Sequence, residues 1–130
     1  MKKINIKFLL LTISIVGSLT VTQMNSQSRS VINEGVDKYE EGNFVEAEKN
    51  FQSSIDDKFE NFEGHFNLGD ALYKQDKYED ALSYYKNALA LAKTDEQKAQ
   101  VFHNVGNTLL KSQKLDESID AFKDALRRNP

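Results

Sequence analysis

The sequence predicts an all-α fold, a right-handed α-solenoid of three helix–turn–helix pairs behind an N-terminal signal segment. Three observations carry that prediction. Helix breakers are scarce, with one proline and six glycines in 130 residues. An Asn-x-Gly triplet recurs as Asn33-Glu-Gly35, Asn67-Leu-Gly69 and Asn104-Val-Gly106, at spacings of 34 and 37. Small and large residues then follow each glycine in the same register.

The first element is an address rather than part of the fold. Lys2, Lys3 and Lys7 precede an apolar run from Phe8 to Val21, interrupted only by small residues and threonines. This is the layout of a secretory signal over residues 1–22. A run of about 14 residues is short of the ~20 that a spanning helix needs. Thr20 and Thr22 fit cleavage before Gln23, Ser26 offers a second site before Gln27, and an uncleaved N-terminal anchor is the alternative. Both readings place the folded part outside the cytoplasm, in the periplasm or cell envelope.

The three pairs come next. Twelve residues after each glycine stand Ala47, Ala81 and Ser118; four later come Phe51, Tyr85 and Phe122, then Ser54, Ala88 and Ala125. Phe44, Tyr78 and Leu115 open the second helix of each pair. Small residues let neighbouring helices cross closely, and the large ones fill the space between them. With the glycine at motif position 8, this 34-residue pattern resembles the tetratricopeptide repeat over residues 28–130. The resemblance divides the chain into repeats at 28–61, 62–95 and 99–130.

Departures from the pattern have physical readings. Glu34 and Lys38 stand where apolar residues are usual, so the first repeat is read as degenerate, with the polar outer face of a capping unit. Three extra residues lie around Lys93 to Gln97, and Thr94 with Gln97 reads as a capping box that starts the third pair about one turn early. Asn43 with Glu46 and Asp76 with Glu79 read as starts of second helices. After Pro130 the expected polar capping helix is missing, so a chain truncated after the third repeat is expected.

The resemblance implies a concave groove lined by the first helices. Carried over by motif position, it presents Ile32, Asn33, Val36 and Tyr39, then Phe66, Asn67, Asp70 and Tyr73, then His103, Asn104, Asn107 and Leu110. The asparagines at 33, 67 and 104 form a row of primary amides that can donate to and accept from an extended peptide, while Tyr39, Phe66 and Tyr73 hold apolar side chains. The row reads equally as solvated residues left by duplication. A carboxylate clamp of the kind that holds chaperone C-termini is not implied. Ile32, Val36, Gln100 and Asn104 replace its cationic and amide residues, and only Asn67 agrees.

Other chemistry is excluded or weak. There is no cysteine, so disulfides and thiolate sites are absent. His65 and His103 occupy different motif positions with no companion, which predicts no metal site. The carboxylate pairs Glu40–Glu41 and Asp56–Asp57 fall at helix ends and read as solvated charge, and Arg127–Arg128 reads as a cationic helix end. No phosphate loop, nucleophile elbow or metalloprotease signature occurs, so no catalytic residue, cofactor or small-molecule substrate is expected and the chain is read as a non-enzyme. The formal charge is −3, and about −6 without the first 22 residues, which argues against nucleic acid and suits a basic peptide.

The expected function is an exported scaffold that binds a protein or extended peptide, with membrane association through a partner or an uncleaved N-terminus. The signal, the three repeats and the ending Ala-Leu-Arg-Arg-Asn-Pro are also similar to the repeat proteins of Bacteroides aerotolerance operons. A self-assembling structural solenoid and a noncatalytic region of a larger envelope enzyme are the alternatives.

Overall fold

The computed structural model describes residues 26–56 and 61–130. The signal segment expected over residues 1–22, and Asp57, lie outside the described residues. Six helices and no strand occur among the described residues: α1 through residues 26–40, α2 (Phe44–Asp56), α3 (Phe62–Tyr73), α4 (Tyr78–Leu91), α5 (Asp95–Lys111) and α6 (Leu115–Arg128). They pack as the pairs α1/α2, α3/α4 and α5/α6. Helix α3 also packs on α2, α5 on α4, and α3 touches α5.

Each pair is closed by its glycine. A Cβ on Gly35 would stand 2.6 Å from the Phe51 ring, one on Gly69 2.6 Å from Tyr85, and one on Gly106 2.7 Å from Phe122. No carbon fits at that distance, so glycine is the condition for the aromatic of the second helix to lie against the backbone of the first. Ala47 and Ala81 are fully buried beside these contacts, and Ser118 takes the same place in the third pair, donating through Oγ to Gly106 O at 2.8 Å. Between pairs, Phe62, Leu68, Leu72, Val101 and Ala88 complete one continuous core.

The turn inside each pair has one backbone geometry. Gly42, Asp76 and Gln113 have φ of 78°, 59° and 62°, the left-handed region. Behind them the N–H groups of Asn43, Lys77 and Lys114 donate to Lys38 O, Leu72 O and Leu109 O at 2.9, 3.0 and 2.9 Å. This left-handed closure satisfies carbonyls orphaned at the end of the first helix. It corrects the reading of Asp76 as a helix start: Lys77 is the N-cap of α4 and makes no side-chain cap bond. Asp76 instead lies in the turn after α3, and its Oδ1 accepts from the Tyr78 hydroxyl. Asn43 does precede α2, its carbonyl accepting from Ala47 N at 3.0 Å.

The third pair starts with the expected capping box. Thr94 Oγ1 accepts from Gln97 N at 3.1 Å and Gln97 Oε1 accepts from Thr94 N at 3.3 Å, giving α5 17 residues against 12 in α3. The added turn gives the end of α6 a partner. Arg128 lies 3.6 Å from Asp95 and its guanidinium is 5.2 Å from the centroid of Phe102, while Arg127 pairs with Asp124 at 3.0 Å. The arginine pair is thus held by α5 as well as by its own helix.

The two ends of the stack differ. On α1, Glu34 is exposed and Lys38 pairs with Glu41 at 2.8 Å, so that face is polar. On α6, Leu115, Ile119 and Leu126 are 58%, 52% and 64% exposed. Leu115 therefore does not fill the space between helices as Phe44 and Tyr78 partly do. The two internal junctions carry cross-repeat bonds: Lys77 Nζ to Glu48 at 2.9 Å, Gln75 Nε2 to Glu48 at 2.7 Å, and Lys114 Nζ to Glu79 at 2.9 Å.

Candidate peptide groove

The groove residues converge where α1, α3 and α5 run side by side. Spacing by three and four puts Asn67, Asp70 and Tyr73 on one stripe of α3, and Asn104 and Asn107 on the matching stripe of α5. A cleft of about 140 Å³ is lined by Tyr39, Asp70, Tyr73, Lys74, Tyr85, Asn104 and Asn107. A second of about 200 Å³ adjoins it through Tyr39 and Asp70, with Val36, Glu40, Phe51 and Asn67 as its other walls.

Asp70 is the centre of this arrangement. Its Oδ1 accepts from the Tyr85 hydroxyl at 2.6 Å and from Asn104 Nδ2 at 2.7 Å. Burial pushes its carboxyl above the usual carboxylate range; the hydrogen bonds from Tyr85 and Asn104 and the charge of Lys74 oppose the rise. Tyr85 is pushed well above the ordinary phenol value by burial first and by the Asp70 charge second, so it remains a donor. Tyr39 is raised by its own burial and by the charge of Asp70. Its ring meets Phe44 edge-on at 5.2 Å, and Tyr73 rests against Tyr78 at 5.8 Å, so both walls are braced.

The three asparagines of the predicted row line different openings. Asn67 and Asn107 make no hydrogen bond within the protein among the described residues, whereas Asn104 uses one donor on Asp70. Asn33 is exposed and lines a different opening, of about 550 Å³, with Ile32, Asn61, Phe62, Lys93 and Gln97. Phe66, His103 and one side of Asn104 line a third opening of about 620 Å³, bounded by Phe122, Ala125 and Leu126 of α6. Leu110 is half exposed and lines none of them.

Sequence reasoning missed Tyr85 and Lys74 as groove residues. Tyr85 was assigned to packing alone, yet its hydroxyl was a signal, since the equivalent residues Phe51 and Phe122 have none. His65 lies against Tyr84 at 6.0 Å and His103 against Phe122 at 5.7 Å. Among the described residues no three His, Cys, Asp or Glu side chains gather to hold a metal ion, and no helix is long and apolar enough to cross a membrane.

The family profile described as tetratricopeptide repeat matches residues 61–130. No curated protein matches the sequence. Among solved structures, the chain is similar to the second TPR of Spaghetti (RPAP3) bound to HSP90 peptide SRMEEVD, at 23% identity and a TM-score of 0.77, covering 90% of this chain and 99% of that one. The N-terminal domain of stress-induced protein-1 from C. elegans gives 15% identity and a TM-score of 0.75, over 82% and 87% of the two chains. The Yersinia enterocolitica type III secretion translocator chaperone SycD gives 16% and 0.73, over 79% and 76%. At these identities the likeness is one of fold.

Proposed function

Because this chain belongs to the tetratricopeptide repeat family, we propose that it is an exported, noncatalytic adaptor that captures an extended segment of a partner protein in the groove between α1, α3 and α5. The observation that carries the reading is the pair of amides at Asn67 and Asn107. Both line open clefts beside Tyr39 and Asp70, and neither makes a hydrogen bond among the described residues. A primary amide can donate to one backbone group and accept from another, which suits a peptide whose own N–H and C=O groups are unpaired.

The second TPR of Spaghetti holds an HSP90 peptide with the acidic sequence SRMEEVD. This groove is electrostatically different. Ile32, Val36, Gln100 and Asn104 supply no cation, and Asp70 puts a carboxylate on the floor, so an acidic terminus would meet like charge. Export is supported by the basic and apolar N-terminal segment, and a place in a cell-envelope complex of the aerotolerance type by the same layout of signal and repeats.

The test is capture from cell fractions by the chain tagged at its C-terminus. The expected result is a protein retained from envelope extract but not from cytosol, and lost with Asn67→Ala combined with Asn107→Ala while helicity is kept. Equal capture by the double variant would remove the groove from the function. The exposed face of α6 favours a second reading, a self-assembling solenoid. Light scattering distinguishes it: Ile119→Glu would reduce a concentration-dependent mass and leave peptide capture unchanged.

A further inference from the structure

Peptide capture leaves open which side chain the groove selects. We propose that the cleft lined by Tyr39, Asp70 and Tyr73 is a subsite for the side-chain ammonium of a lysine in the bound peptide, seated on Asp70 Oδ2. The inference rests on the groove reading above and adds the chemistry of the partner.

Four observations support it. Both hydrogen bonds that Asp70 accepts fall on Oδ1, so Oδ2 has no partner among the described residues, and it is not sealed off, because Asp70 lines both clefts. Second, the carboxylate makes no ion pair among the described residues, although burial works against its charge. A half-buried carboxylate in that state gains from an arriving cation. Third, Tyr39 and Tyr73 both line the same cleft as Asp70, and aromatic rings beside a carboxylate suit the methylene stem and charged head of a long cationic side chain. Fourth, about 140 Å³ is below the roughly 300–1,000 Å³ of pockets that enclose small molecules, and matches one side chain.

The geometry favours lysine over arginine. A guanidinium reaches full strength on a carboxylate through two parallel bonds, and here Tyr85 and Asn104 already occupy Oδ1. A compact ammonium needs only Oδ2. Lys74, which also lines the cleft, is exposed and lies outside ion-pair distance of Asp70, so it sits at the rim as a weak competitor.

The experiment is selection of a random 12-residue peptide library on the full chain and on two variants. Asp70→Asn keeps an oxygen for Tyr85 and Asn104 and replaces Oδ2 by an uncharged NH2. Tyr73→Ala removes a wall without touching those bonds, and thermal melts establish that each variant is folded. The expected result is lysine enriched at one peptide position, above arginine. That enrichment should fall about tenfold or more with Asp70→Asn and weaken with Tyr73→Ala. Peptides selected without a basic residue, or the same lysine selected by Asp70→Asn, would overturn the subsite and leave the groove standing. Arginine enriched above lysine would overturn seating on Oδ2 alone. No peptide selected at all would overturn the groove and the subsite together.

Discussion

Asn104 donates its side-chain amide to Asp70 Oδ1 at 2.7 Å, joining the third helix pair to the second across 34 residues. The equivalent position in the second repeat is Asn67, which shares a cleft with Val36, Glu40 and Asp70 and makes no such bond among the described residues. Two asparagines at one motif position therefore have different tasks. Asn104→Ala should destabilise the protein by about 1–3 kcal/mol, because a half-buried carboxylate loses a donor. Asn67→Ala should stay within ~0.5 kcal/mol. Urea unfolding of both variants checks this; equal effects would show that the cross-repeat bond contributes nothing.

Asp70 gives stability a pH dependence of definite sign. Its carboxyl is raised in the folded protein, chiefly by burial, so the folded state holds the proton more tightly than the unfolded chain. Its contribution is fully present below the unfolded value and is lost as pH rises through the folded one. The stability of the protein relative to Asp70→Asn should accordingly fall as pH rises from below the ordinary carboxylate value through the raised value of the folded state. Thermal melts of the two proteins across that range measure the gap, and a gap that widens with pH would contradict the assignment.

Adding one methyl at a helix crossing should separate packing from propensity. Gly69→Ala gains up to about 1 kcal/mol of helix propensity, but its Cβ would stand 2.6 Å from a Tyr85 ring that is buried and tethered through its hydroxyl to Asp70. Overpacking of this kind costs about 1–3 kcal/mol, so a net loss is expected. Gly106→Ala should lose less, since Phe122 is half-buried and has no hydroxyl to hold it. Denaturant midpoints for the two variants give the order.

The left-handed turns offer a change that touches no side-chain packing. Gln113 has φ of 62°, which strains a residue with a Cβ, and Gln113→Gly should stabilise the protein by up to about 1 kcal/mol. Gly42→Ala should cost about 1–2 kcal/mol for the converse reason, because nothing lies within 4 Å of the added atom and only the backbone is affected. Melting temperatures moving in the same direction for both would refute the account.

What was legible in the sequence is what depends on regular spacing. Gly35, Gly69 and Gly106 each lie the same distance before an aromatic, so period alone brings them together, and Thr94 with Gln97 acts within one turn of helix. Asp76 was misread because Asp-Lys-Tyr-Glu satisfies a helix-start pattern by residue type. What decides its role is the reversal of the chain that packs α4 on α3, which brings Lys77 N–H to Leu72 O. The meeting of Tyr85, Asp70 and Asn104 was hidden for a different reason. Tyr85 fits the packing pattern as well as phenylalanine does, and only the structure shows where its hydroxyl ends. Asn33 was grouped with Asn67 by motif position, but the first helix places it over a separate opening.

The contacts between each position-8 glycine and its aromatic also bear on how the chain folds. Every one spans a single turn and two half-helices, so no pair must wait for a distant part of the chain before it can close. Folding can begin in any of the three hairpins and spread to a neighbour through the junction bonds. The turn and glycine positions then govern nucleation, whereas Asp70 and Asn104, which join hairpins already formed, act late and should change the rate of unfolding more than that of folding.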